Sequence, residues 1–85
     1  MTNYRIFIDL EVHAVIKSIR ASRKREIIAF LRSLEANPFT LGDLHTLIAD
    51  RRVEVKVFGS YSLLYYADHA FRKIKVVDCF TSARA

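Results

Sequence analysis

The sequence predicts an α+β domain in which an antiparallel sheet carries a helical hairpin packed on one face, in the order β-α-α-β-β-β. Three observations predict it. The hydrophobic spacing switches from strand to helix period after Leu10, an Asn37-Pro38 stop follows the second helical stretch, and apolar-rich runs divided by turn residues fill the chain after Val53. At 85 residues, one domain over 1–85 fits and two do not. Hydrophobic residues make up 52% of the chain, interrupted by only two Gly and one Pro, which is the composition of a packed core.

Tyr4, Ile6, Ile8 and Leu10 alternate with Arg5, Phe7 and Asp9, giving a strand with one apolar face. From Glu11, Val12, Val15, Ile16 and Ile19 recur at i, i+3, i+4 and i+7, an amphipathic helix ending near Arg20. Ser22 can cap a second helix by accepting a backbone N–H, and Ile27, Phe30, Leu31 and Leu34 carry the helical spacing to about Ala36. Pro38 disfavours helical geometry at Asn37 and has no N–H to donate, so the helix stops and the two helices make a hairpin. Residues 39–51 contain Leu41, Leu44, Leu47 and Ile48 without a clean period, and an ordered loop is expected there. Val53, Val55 and Val57 alternate with Glu54 and Lys56, and Gly59-Ser60 signals a type II′ hairpin. The strand from Tyr61 to Ala67 is apolar on both faces, which predicts a central position covered by helices on one side and by a loop or partner on the other. A homodimer is one candidate assembly. Asp68, His69 and Ala70 turn the chain into a last strand from Lys73 to Phe80.

Fourteen Lys and Arg against nine Asp and Glu give a net charge of +5, a balance that favours phosphate backbones or an acidic partner. The single Cys79 allows no internal disulfide and reads as a small buried hydrophobe; a reducing cytoplasm fits. No charged-then-apolar leader opens the sequence and no apolar run is long enough to span a bilayer, so no membrane association is expected. His13, His45 and His69 are scattered without ligand spacing, and no metal or cofactor is expected. Gly-rich phosphate loops, serine-nucleophile motifs and paired catalytic carboxylates are absent from the sequence.

The order of elements and three segments resemble the RelE/ParE toxin superfamily, the toxin half of bacterial type II toxin-antitoxin pairs. The segments are Tyr4-Arg5-Ile6-Phe7-Ile8, Leu34 to Pro38 (LEANP) and Val55 to Tyr65 (VKVFGSYSLLY), followed by the last hydrophobic strand. The resemblance implies a cytoplasmic addiction-module toxin of the plasmid-stabilisation type, bound by a cognate antitoxin protein. Relatives of this kind act as mRNA interferases on the ribosome, inhibit DNA gyrase as ParE does, or would bind without catalysis.

Metal-free RNA cleavage requires a base for the 2′-hydroxyl, positive charge on the phosphate and an acid for the leaving oxygen. By the resemblance, Lys56 falls at the family's basic strand position and Arg84 near its C-terminal Arg, so these two are the candidate catalytic residues. The sequence departs from the RNA-cleaving pattern at Glu54, where a second Lys is usual, and at Ser62, where Arg is usual. It also carries no Tyr or His after Arg84, so binding is expected to outlast catalysis.

Arg51, Arg52, Arg72, Lys73 and Lys75 lie on or beside the strands and are the candidate nucleic-acid contacts, in a patch to which Lys56 would belong if the register allowed. Edge protection by charge is the plainer reading of the same residues. Lys17, Arg20, Arg23, Lys24 and Arg25 cluster at the helix link, where a solvated turn competes with a phosphate contact. Tyr61, Tyr65 and Tyr66 suit the core and its rim better than base stacking.

Overall fold

Arg5 to Ile8 keep the expected alternation and form the first strand of the computed structural model, which describes residues 4–81. The elements are β1 (Arg5–Ile8), α1 (Leu10–Lys17), α2 (Ala21–Ala36), β2 (Leu44–Ile48), β3 (Arg51–Phe58), β4 (Tyr61–Asp68) and β5 (Lys73–Thr81). They build the expected α+β architecture, a single sheet of order β1-β5-β4-β3-β2 with both helices on one face.

Two features of the sheet differ from the sequence expectation. Residues expected to form a loop contain β2, which pairs antiparallel with β3. The sheet is also mixed: β2 to β5 form an antiparallel meander, but β1 lies parallel to β5, Arg5 against Lys73 and Ile8 against Val76. Hydrophobic alternation shows that a strand has an apolar face and not which strand it will lie beside, so the parallel pair left no local trace.

The apolar stripes of the helices meet the sheet where expected. Val12 and Ile16 of α1, Ile19 of the link and Ile27, Leu31 and Leu34 of α2 pack in one core with Phe58, Leu63, Tyr65, Ile74, Val76 and Cys79. Ile27, Leu34, Leu63, Ile74 and Val76 are 0% exposed, each contributing about 1.5–3 kcal/mol by leaving water. Val76 and Cys79 reach the same core because a bulge intervenes: Leu64 pairs with Asp78 but Tyr65 with Val76, leaving Val77 as the extra residue.

β4 is central, and its residues Ser62 to Tyr65 are buried on both faces. The Gly59-Ser60 turn has positive φ at Gly59 only, as type II′ demands. The β2–β3 turn has positive φ at both central residues, Ala49 (52°) and Asp50 (66°), which is type I′. Ser22 does not cap α2; it lies inside the first turn, and Arg20 holds the cap position without a side-chain bond. Asn37 ends the helix as expected, its N–H donating to the Ser33 carbonyl at 2.9 Å.

Candidate functional site

Alternation along β3 sends Glu54, Lys56 and Phe58 to the helix side of the sheet, because they pair with Tyr65, Leu63 and Tyr61 of the core. The Lys56 ammonium stands 5.6 Å from the Phe30 ring centre and 3.4 Å from an Asp43 carboxylate oxygen. The other Asp43 oxygen accepts the Val57 N–H at 2.8 Å. That backbone bond, helped by Lys56 and opposed by partial burial, holds the Asp43 carboxyl below its usual range.

Glu54 is buried beside this pair. Its carboxylate accepts the Gly42 N–H at 2.9 Å and the Arg52 Nε–H at 2.7 Å. Burial pushes its carboxyl up, and the Gly42 bond, Arg52 and the charge of His45 together outweigh that, leaving it below the usual range. Gly42 is needed for the approach, since a Cβ there would meet the Val55 backbone at 2.5–2.9 Å. Across the strand, the Tyr65 hydroxyl donates to the Thr40 carbonyl at 3.0 Å. Burial, and then the charges of Glu54 and Asp43, push the Tyr65 hydroxyl up to about 12. Phe39, Thr40, Arg52, Glu54, Tyr65 and His69 line a cleft of about 210 Å³ at this end of the sheet. Phe39 stacks on His69 with ring centres 4.4 Å apart.

The residue facing Lys56 across β4 is Leu63, and beyond Leu63 comes Cys79. Ser62 is on the opposite face of the sheet from Lys56, buried and paired with Val57 and Phe80. β4 therefore offers no cation beside Lys56 on this face, and a phosphate approaching Lys56 meets the carboxylates of Asp43 and Glu54.

The remaining cations divide between the two faces. Lys73 and Lys75 lie on the face away from the helices, in register with Arg5 and Phe7 of β1. Arg51 joins them there, its guanidinium 4.3 Å from the Tyr66 ring centre, and Tyr66 pairs with Lys75. Lys73 stands 5.4 Å from the Phe7 ring and 5.9 Å from the Phe71 ring. Lys75 is held by the Asp9 carboxylate at 2.5 Å. Arg52 is on the other face with Glu54, and Arg72 occupies the β4–β5 turn with φ 53°. Lys56 is thus separated by the sheet from Lys73, Lys75 and Arg51. Arg5 and Phe7, which the sequence reading did not single out, complete the open-face row; only the parallel β1–β5 pairing reveals them. Arg84 lies outside the described residues.

Among the described residues, no group of three or more His, Cys, Asp or Glu could hold a metal ion, and no helix is long and apolar enough to cross a membrane. No protein-family model matches the sequence, and no curated protein matches it. A solved structure that does match is the archaeal RelE-RelB complex from Pyrococcus horikoshii OT3. One of its chains is similar at a TM-score of 0.80 and 21% identity, with 100% of both chains covered. The chain has the RelE-like fold.

Proposed function

We propose that this chain is the toxin-like component of a type II toxin-antitoxin module, acting in the cytoplasm and held by a cognate antitoxin protein. The full-length match in fold to a chain of a RelE-RelB complex carries this reading. The open-face row of Arg51, Lys73 and Lys75, interleaved with Phe7, Tyr66 and Phe71, supports an anionic partner. Cations set among exposed aromatic rings suit single-stranded RNA as well as an acidic peptide. On this reading Arg51, Lys73 and Lys75, with Arg72 in the adjoining turn, contact phosphate, and Lys56 and Arg84 carry ribosome-dependent mRNA cleavage; Arg52, paired with Glu54 on the helix face, stands apart from that row.

Binding without cleavage, including a gyrase-directed action, is the second reading. The carboxylates around Lys56 favour it: Asp43 stands 3.4 Å away and the same-face neighbour two residues back is Glu54 rather than a cation.

Induced expression of the chain alone separates the two, with growth, bulk translation, mRNA ends and plasmid supercoiling followed together. Translation arrest with cut mRNA, abolished by Lys56→Ala or Arg84→Ala, is the result expected of a nuclease. Arrest with intact mRNA or lost supercoiling selects the second reading. Unimpaired growth with all three readouts unchanged overturns the toxin reading.

A further inference from the structure

β2 is an edge strand without the usual protection. Its five residues, Leu44–Ile48, carry no Lys, Arg, Asp, Glu or Pro, pair with β3 in unbroken register, and are all exposed. Leu44 is 63%, Leu47 67% and Ile48 41% exposed. Soluble proteins ordinarily blunt such an edge with charge, proline or a bulge, because its free N–H and C=O groups template another strand. The opposite edge, β1, is shorter and carries Arg5.

The register fixes which groups are free. Ile48 and Arg51 flank the two-residue turn, so they exchange hydrogen bonds with each other, as do Thr46 with Val53 and Leu44 with Val55. The alternate residues, His45 and Leu47, direct their N–H and C=O outward, and among the described residues no strand pairs on that side.

We infer that β2 is a self-pairing edge, through which two copies of the chain join antiparallel about a two-fold axis at Thr46. The strand is complementary to itself in this register. His45 of one copy exchanges two backbone bonds with Leu47 of the other, and symmetry repeats the exchange, so every outward group of both residues is used. On the open face Leu44 meets Ile48 of the second copy on either side of a Thr46–Thr46 pair. On the other face Leu47 covers His45. The strand itself is uncharged, so two copies of a +5 chain meet without apposing cations along the seam. A strand from a different protein would gain the backbone bonds but not this two-fold match of side chains. The inference does not rest on the toxin reading; a harmless chain would pair in the same way.

Sedimentation equilibrium of the purified chain tests it, together with two cysteine variants. An interface of one strand pair is small, so a dimer is expected in the range of about 1–100 μM. Leu47→Pro removes an outward N–H while keeping every β2–β3 bond, and is expected to weaken the dimer at least about tenfold with an unchanged circular dichroism spectrum. Leu47→Lys, which perturbs no backbone group, should do the same by placing charge at the seam. Thr46→Cys sits at a non-bonded pair with Cα atoms about 4.5 Å apart and should cross-link between copies under mild oxidation. Leu44→Cys should not, because it faces Ile48; the native Cys79 is 2% exposed and does not interfere. A monomer throughout the range, a dimer indifferent to both Leu47 variants, or Leu44→Cys cross-linking as readily as Thr46→Cys would each overturn the inference.

Discussion

Glu54 is the residue at which the candidate site and the stability of the fold can be told apart. Replacing it with Ala removes a carboxylate that accepts the Gly42 N–H at 2.9 Å and Arg52 at 2.7 Å. A backbone N–H bonded to a charged acceptor contributes about 1.5–3 kcal/mol, and here the donor is left facing a closely packed backbone. The Arg52 side chain is 53% exposed, so solvent screens that contact to about 0.5 kcal/mol or less. The expected loss for Glu54→Ala is about 2 kcal/mol, lowering Tm by about 8–16 °C in a domain of this size. Glu54→Gln keeps an acceptor for Gly42 and should lose about 1 kcal/mol. Arg52→Ala should lose least. Urea titration monitored by far-ultraviolet circular dichroism gives the three values, with an unchanged m showing that unfolding stays two-state. If Glu54→Ala lies within about 0.5 kcal/mol of the parent, or if Arg52→Ala costs as much, the Gly42 bond is not what Glu54 is for.

Four further outcomes follow from the structure. Asp43 and Glu54 bind protons more weakly folded than unfolded, so the stabilisation they give is complete above their ordinary values of 3.8 and 4.5. It is lost as pH falls through the lower folded values, and urea midpoints measured from neutral to strongly acidic pH should drop there, less steeply in Glu54→Gln. Tyr65→Phe leaves the Thr40 carbonyl without its donor and should cost about 1 kcal/mol by the same titration. In the parent, ultraviolet titration should find one tyrosine ionising only near 12. Ala49→Gly relieves a left-handed conformation at φ 52° and should stabilise by about 0.5–1 kcal/mol; equal or lower stability would mean that the turn is not strained.

The helices and β3 were legible because hydrophobic residues recur along them at helix or strand period, and β4 and β5 because apolar runs of strand length stand between turn residues. β2 was not, for a physical reason: an edge strand exposed along its whole length has no buried face to impose alternation, and LHTLI accordingly shows none. Its turn was hidden as well, since Ala49-Asp50 adopts type I′ geometry without the Gly or Asn that advertises it. At the candidate site the sequence supplied the cations and not their sides. Lys56 and Lys75 fall on opposite faces because of where β3 and β5 pair with β4, and the bulge at Val77 shifts that parity partway along β5. Ser62 shows the same blindness. It stands where an arginine was expected, yet an arginine there would point away from Lys56.

The parallel contact between β1 and β5 also sets the order in which the molecule can come into being. β1 leaves the ribosome first among the described elements and β5 last, yet Ile6 finds its strand partner only in Ile74. Loop closure over nearly the whole chain must therefore precede the final pairing, and the apolar stripe of the helix hairpin waits for Ile74, Val76 and Cys79 to be synthesised. During translation the nascent chain holds a sticky, unfinished hairpin rather than a folded half. Native structure therefore arrives in one step, once β5 is in place, rather than element by element.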